Sequence, residues 1–151
     1  MRISFGPSEM AVVVGAESFV LPIGIDTLLE RELRTDPPRP EELTNAIAAV
    51  ADELDDVVRL APAIVGAGVE VAGADARAIA AVEVGGEAPL PFMLSRDAAE
   101  DVFRTLATET RAERARNPGL PTDLVASVVA GSCAMVAVMR RLQLDSVMVM
   151  P

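Results

Sequence analysis

Histidine, lysine, tryptophan and tyrosine are absent from the 151-residue sequence, and cysteine occurs once. Without histidine the chain lacks the commonest general base and metal ligand, and a single cysteine cannot complete a zinc site. Aromatic residues make up only 3% of the chain, which argues against a surface that stacks bases or sugars. Cys133 has no partner for an internal disulfide and lies in an apolar stretch, where we expect a buried, unreactive thiol.

The absence of lysine leaves 13 arginines against 23 acidic residues, a formal net charge of −10. Such a field repels nucleic acids and anionic membranes, although a local arginine cluster or a helix N-terminus can still hold a small anion. The longest uncharged run, Leu124–Met139, is too short for a typical membrane span and predicts a buried helix. No signal-peptide pattern opens the chain, so we expect a cytoplasmic protein. The lack of lysine and the scarcity of asparagine favour a bacterial genome rich in GC.

The apolar fraction of 51% is ample for the core of one domain spanning residues 1–151. Three strands are predicted at the start, joined into a meander by turns at Gly6-Pro7 and Gly15-Ala16-Glu17. They cover Arg2–Phe5, Glu9–Val14 and Ser18–Pro22. A helix over Gly24–Arg34 follows, and after a proline-rich connector a second helix runs from Glu41 to the residue before Pro62.

The second half of the sequence alternates short apolar segments with helices. Ala63–Gly66 and Val69–Ala72 are predicted strand segments, Ala74–Val82 a helix and Gly85–Pro91 a loop. Ser95 is expected to cap the next helix, and Thr110 with Glu113 forms a possible capping box. Leu124–Leu142 is the predicted buried helix, and Ser146–Met150 a last strand. This order indicates an α/β fold: a mixed sheet of about five strands flanked by helices.

Charged and nucleophilic residues suggest few sites. Asp52, Glu53, Asp55 and Asp56 follow one another on a helix, which is typical of a solvated face rather than a metal site. Arg111, Arg114 and Arg116 alternate with acidic residues, which favours surface ion pairs over an anion site. Arg140 and Arg141 are explained by the dipole of a helix C-terminus. Ser127 and Ser132 have no histidine to activate them.

Several motifs, taken in order, resemble the second domain of the exopolyphosphatase / guanosine pentaphosphate phosphatase family. The segments that carry the likeness are Ile3–Met10, Val12–Gly15, Val20–Gly24, Leu28–Arg31, Asp36–Pro38, Val71–Ile79, Arg111–Arg114, Pro118–Pro121 and the helix with Ala130-Gly131 that ends at Met139–Leu142. Each motif is loose, and their order and spacing across nearly the whole chain make the case. The resemblance implies a ribonuclease H-like (actin-like ATPase) half-domain.

The departures from the family pattern fall on its phosphate-binding loops. Ser4 stands at the position of the family's aspartate, one glycine of that loop is missing, and Pro7 removes an N–H donor. In the second loop Ala74, Asp75 and Arg77 replace threonines. The apolar Leu124–Ala126 stands where the family has Arg-Ala-Asp, and the family's preceding domain, with its catalytic carboxylate, has no counterpart.

We therefore expect no catalytic residue, no metal site and no cofactor, and a domain that acts through protein–protein contact or self-association. In the family, one face of this domain contacts a partner domain. A domain on its own leaves that face exposed to water or covers it with another chain, so a homodimer or a hetero-complex is favoured over a monomer. One alternative is a weak nucleotide or polyphosphate sensor. The resemblance implies that its ligand would contact Gly6, Ser8, Glu9, Gly73 and Arg77. Glu9 is either the glutamate of the family's loop or an ordinary surface residue. Another is a phosphohydrolase completed by a second chain and Mg²⁺.

Overall fold

All 151 residues are described by a computed structural model, in which six strands form one mixed sheet. The strands are β1 (Arg2–Phe5), β2 (Met10–Val14), β3 (Glu17–Leu21), β4 (Glu70–Ala72), β5 (Phe92–Ser95) and β6 (Ser146–Val149). Their order across the sheet is β3-β2-β1-β4-β6-β5. The first three strands form the antiparallel meander, β4 and β6 run parallel to β1, and β5 pairs antiparallel with β6.

Six α-helices connect and cover the strands. They are α1 (Ile25–Arg31), α2 (Pro40–Leu60), α3 (Ala74–Val84), α4 (Arg96–Thr108), α5 (Arg111–Arg114) and α6 (Val128–Arg141). In α2 the buried residues Ala46, Val50, Leu54 and Val57 recur at helical spacing, which gives the helix one apolar side. The backbone N–H of Ala98 donates to the side chain of Ser95 at the start of α4, and Thr110 and Glu113 form the expected capping box of α5.

Helix α6 lies at the centre of the molecule. Every residue from Val128 to Met139 is buried, and the helix packs against α1, α2, α3 and α4. Small residues such as Ala130 and Gly131 let those neighbours approach closely. None of the six helices combines the length and the apolar character that crossing a bilayer requires.

The sheet is covered on one face only. Side chains alternate along each strand, so Ile3, Phe5, Val12, Val71 and Val147 share one face, and all of them are buried. The opposite face of the sheet has no buried residue. Its side chains are all exposed or half-exposed, among them those of Arg2, Ser4, Val13, Glu70 and Met148. The core therefore lies between one side of the sheet and the helices.

The predicted α/β class with a mixed sheet and flanking helices is confirmed, with six strands in place of about five. The strand that the sequence analysis missed is β5. The predicted strand Ala63–Gly66 is wrong, because Pro62–Ile64 forms a 3₁₀ turn instead. The predicted helix Leu124–Leu142 begins later, at Val128, because Thr122–Leu124 is a separate 3₁₀ turn.

Candidate functional site

The loop between β1 and β2 uses its own backbone groups to hold its shape. The N–H of Gly6 donates to the carbonyl of Glu9 at 3.0 Å, which closes the turn, and Pro7 has no N–H. An anion placed against this loop would therefore meet neither of these two amides as a free donor. The amide of Gly6 is thus used inside the loop itself.

The same loop also occupies the beginning of α1. The carbonyl of Gly6 accepts from the N–H of Ile25 at 2.9 Å, and the carbonyl of Pro7 accepts from Asp26 at 2.8 Å. This contact needs a glycine at position 24, because a Cβ there would lie 2.4 Å from the Pro7 oxygen. The first donors of α1 are thus already paired inside the protein.

The second glycine loop lies next to the first one. Gly73 precedes α3 with a φ of 135°, and a Cβ at this residue would come within 2.8 Å of the carbonyl oxygen of Phe5. Only glycine fits this backbone conformation and this approach. The close contact brings the first turn of α3 against the end of β1, so the structure does bring Gly6 and Gly73 together, as the resemblance implies.

Asp75 occupies the first turn of α3, where the helix dipole favours an anion. The residue is buried, with 7% of its surface exposed, and Ser127 donates a hydrogen bond of 2.7 Å to its Oδ1. Burial raises the pKa of Asp75, and the nearby carboxylates of Asp26 and Asp123 raise it further, whereas the Ser127 hydrogen bond works in the opposite direction. The first turn of α3 therefore carries a buried carboxyl group of the protein itself.

A cleft of about 410 Å³ opens between the two loops. Its walls carry three aspartates, Asp26, Asp75 and Asp123, and no basic residue. The remaining lining residues are Phe5, Gly6, Pro7, Ile25, Leu29, Ala74, Leu124, Ala126 and Ser127. The aspartates surround the cleft without converging, since no three acidic residues lie close enough to hold one metal ion. The cleft is an acidic depression.

The other residues that the resemblance associates with a ligand lie outside this cleft. Ser8 and Glu9 are exposed and line neither loop cleft nor groove, and the carbonyl of Ser8 accepts from the hydroxyl of Thr27. Arg77 projects into a neighbouring groove of about 560 Å³, which it shares with Ala78, Glu87 and Leu120. The structure therefore brings Gly6 and Gly73 together. Ser8 and Glu9 share the loop of Gly6 but do not line the cleft, and Arg77 lies in the neighbouring groove.

The arginines differ from their predicted surface roles. Arg114 is buried, with 3% of its surface exposed, and its guanidinium donates to the carbonyls of Leu106, Glu109 and Val125. It therefore joins α4, α5 and the segment before α6 instead of forming a surface pair.

Arg140 and Arg141 do more than complement the helix dipole. Arg140 makes two hydrogen bonds to Glu100, at 2.7 and 2.6 Å, and Arg141 is paired with Asp55. These contacts fasten α6 to α4 and α2. The acidic run on α2 is otherwise the solvated face that its sequence indicates, since Asp52, Asp55 and Asp56 are all exposed.

Asp26 and Asp123 are the cleft residues that sequence reasoning missed. Asp26 follows Gly24 by two residues and was indistinguishable from an ordinary acidic residue in a first helical turn. Asp123 lies in a short 3₁₀ turn just before the predicted helix Leu124–Leu142, at a position to which the sequence assigned no structure. The available signal was their position directly after glycine- and proline-containing turns that come together in space.

A scan against models of protein families and a search of curated proteins both find no match for this chain. Solved structures do match it. The Ppx/GppA phosphatase of Aquifex aeolicus superposes with a TM-score of 0.88 at 22% sequence identity, over 99% of this chain and 52% of that one.

Two further structures agree with this result. An exopolyphosphatase-like protein gives a TM-score of 0.88 at 20% identity, over 99% of this chain and 54% of that one. An exopolyphosphatase from Cytophaga hutchinsonii gives 0.84 at 16% identity, over 99% and 52%. The chain thus has the fold of one half of a Ppx/GppA chain and spans about half the length of these proteins, as the resemblance in its sequence indicates.

Proposed function

We propose that this chain is a non-catalytic exopolyphosphatase-like half-domain that acts through contact with protein rather than through phosphate chemistry. The observation that carries the proposal is the acidic cleft between the Gly6 and Gly73 loops. Asp26, Asp75 and Asp123 line it, and no arginine does.

Electrostatics gives the first physical reason. A phosphate ester or polyphosphate would enter a cleft lined by three carboxylates, in a chain of formal net charge −10. Like charges within a few ångströms repel strongly when they are partly shielded from water. Phosphate sites in proteins instead supply cations or a set of inward-pointing N–H groups.

The hydrogen-bond inventory gives the second reason. The amide of Gly6 is used by Glu9, those of Ile25 and Asp26 by the loop itself, and Pro7 has none. Asp75 supplies the negative charge at the first turn of α3. The donors at the start of α1 and at Gly6 are therefore not available to offset the loss of water from a phosphate, and those in the first turn of α3 lie beside the carboxylate of Asp75.

Titration calorimetry with ATP, guanosine tetraphosphate and short-chain polyphosphate tests the proposal, each ligand with Mg²⁺ and with a phosphate-release assay in parallel. We expect no binding tighter than the millimolar range and no release of phosphate. Micromolar affinity or turnover in the purified chain would overturn the proposal.

A charge-neutralised variant sharpens the test. Replacing Asp26, Asp75 and Asp123 by asparagine removes three negative charges from the cleft, and we expect polyphosphate affinity to rise above that of the wild type. The matched control D52N/E53Q/D56N removes three charges from the outer face of α2 and should leave affinity unchanged. Equal gains in both variants would show that total charge, rather than the cleft, excludes the ligand.

A weak sensor for nucleotides or polyphosphate is the second candidate, and one observation favours it. Arg77 forms no ion pair and lines the groove of about 560 Å³ next to the cleft. If this candidate holds, Arg77→Ala abolishes whatever binding calorimetry detects, whereas Arg116→Ala does not. A phosphohydrolase completed by another chain would instead show turnover with Mg²⁺ only after that chain is added.

A further inference from the structure

The uncovered face of the sheet has an unusual position in the fold. Antiparallel sheets often leave one face to solvent, whereas all-parallel sheets are normally covered on both faces, and this mixed sheet combines the two kinds of pairing. Here β1, β4 and β6 form a parallel centre, and one side of it carries no buried residue. We call this side the open face. Its residues are Arg2, Ser4, Ala11, Val13, Ser18, Val20, Glu70, Ala72, Met93, Ser95, Ser146 and Met148.

The open face carries three large apolar side chains that are exposed. Met93 and Val20 are 56% and 62% exposed, and Val13 is 38% exposed. Between these side chains the face holds only alanine, serine, methionine and a single ion pair. In a chain with ten surplus negative charges, this large surface carries no net charge. A surface of this kind is typical of a protein contact.

The two charged residues of the open face lie on opposite sides of its midline and have opposite signs. The midline runs between β1 and β4, the third and fourth strands of six. Arg2 and Glu70 are register partners on these two strands, and their side chains form an ion pair of 2.8 Å. Val13 is the register partner of Arg2 on one side, and Met148 is the partner of Glu70 on the other.

This row matches a second copy of itself. A two-fold axis along the strands, halfway between two stacked sheets, would place β1 of one copy over β4 of the other. Arg2 then faces the second copy's Glu70, Glu70 faces its Arg2, and Val13 faces its Met148. Closed two-fold contacts require such self-complementary pairs.

Two shallow grooves on the open face support the same pairing. One, of about 380 Å³, is lined by Met1, Arg2, Val13, Gly15 and Glu70. The other, of about 330 Å³, lies across the midline and includes Glu70, Met93 and Met148. The proposed axis exchanges the two grooves, so that side chains on the rim of one groove would enter the other.

We infer that the open face binds a second copy of this chain, in a face-to-face dimer centred on the Arg2–Glu70 pair. This inference rests on the proposed function and names the partner. Six short strands offer a footprint of roughly 400 Å² per copy. Specific, stable interfaces bury about 800 Å² per partner, so we expect a weak, reversible dimer.

Charge reversal tests the inference in the intact chain. Sedimentation velocity of the wild type, from about 10 μM to about 1 mM, should show a rise from monomer to dimer over the range that weak complexes cover. Arg2→Glu and Glu70→Arg should each weaken dimerisation at least tenfold, because each places like charges across the axis. Both residues are exposed, so the fold should persist, as far-UV circular dichroism will verify.

Mixing provides the decisive experiment. R2E presents two glutamates at the midline and E70R presents two arginines, so an equimolar mixture should form a heterodimer although each variant alone is monomeric. The double variant R2E/E70R should dimerise like the wild type. Arg104→Glu, which reverses one charge of an exposed pair on α4, is the control and should leave dimerisation unchanged.

Two results would overturn the inference. The first is a wild-type chain that stays monomeric up to 1 mM. The second is a dimer that R2E and E70R leave intact, which would place the contact on another surface. Neither result would decide the proposed function, which fails only if the cleft binds or hydrolyses a phosphate compound.

Discussion

The hydroxyl of Ser127 donates a hydrogen bond of 2.7 Å to the carboxylate of Asp75, and this contact ties the first turn of α3 to the segment that enters α6. The two residues are far apart in sequence but meet at the bottom of the acidic cleft. The hydrogen bond supplies part of the solvation that Asp75 loses on burial. It also fixes a negative charge at the N-terminus of α3 without any ligand.

The raised pKa of Asp75 predicts that the chain loses stability as the pH rises. The folded protein holds this proton more tightly than the unfolded chain. The penalty for ionisation therefore grows as the pH rises from the ordinary pKa of 3.8 to the higher pKa of the folded state, and stays constant above it. Asp75→Asn removes the charge and keeps an acceptor for Ser127. We expect it to raise Tm at pH 7 by roughly 2–4 °C, the effect of about 1 kcal/mol in a domain of this size.

Urea denaturation of the wild type and D75N between pH 4 and pH 7 measures this effect. The difference in the free energy of unfolding should widen toward pH 7. The exposed Asp52→Asn on α2 is the control and should show no such trend. A difference that is constant with pH, or that shrinks as the pH rises, contradicts the prediction.

Glu42 should have the opposite dependence on pH. Hydrogen bonds from the hydroxyl of Thr35 and from the backbone N–H groups of Arg39 and Arg34 lower the pKa of Glu42 to about 2. The stabilisation is therefore complete above the ordinary glutamate pKa of 4.5 and is lost as the pH falls from 4.5 toward 2. Glu42→Gln should remove this part of the acid sensitivity, as followed by circular dichroism during acid titration. Glu41→Gln, at the neighbouring exposed position, should leave the acid transition unchanged.

Gly131 is predicted to tolerate no side chain. A Cβ at this position would lie 2.4 Å from the Cβ of Asp75, inside the contact between α6 and α3. We expect Gly131→Ala to lower the free energy of unfolding by about 3 kcal/mol or more, the upper range for overpacking a core. Gly86→Ala, where a Cβ meets open space, should change it by less than about 1 kcal/mol. Because Asp75 supplies the clash, D75G should relieve part of the loss in the double variant.

Arg114 should be essential to the junction of α4, α5 and the segment before α6. Its guanidinium reaches three carbonyls and lies 3.7 Å from Asp36. Arg114→Met leaves those acceptors without their donors, and we expect a loss of about 3 kcal/mol or more in urea denaturation. Arg114→Lys should recover little, since one ammonium cannot span the three acceptors. An effect no larger than that of the exposed Arg116→Met would contradict this prediction.

Local patterns were sufficient to predict most of the fold. The meander, the long amphipathic α2, the Ser95 cap and the buried α6 all follow from periodicity and turn residues. Strand β5 was missed because it has only four residues, which follow Pro89 and Pro91, and it becomes a strand by pairing with β6 at the sheet edge. Its alternation of Phe92 and Leu94 was too short to identify a strand without that partner.

The site was predictable only in part. The positions of Gly6 and Gly73 predict the two loops, and the resemblance to the family indicates that the loops lie close together. The direction of Arg77 depends on how α3 is rotated against its neighbours, and a sequence without those neighbours cannot supply it. Arg114 stands among glutamates, which predicts a surface pair, but its actual acceptors are carbonyls that only the folded chain brings together.

The position of β6 has a consequence for how this protein is made. Strand β6 lies between β4 and β5, so β5 has no strand to pair with until residue 149 has left the ribosome. Before α6 is available, the apolar surfaces of the earlier helices that it covers remain exposed, and chaperones can bind such surfaces. The interior of this domain therefore closes only when α6 and β6 join the elements that precede them in sequence.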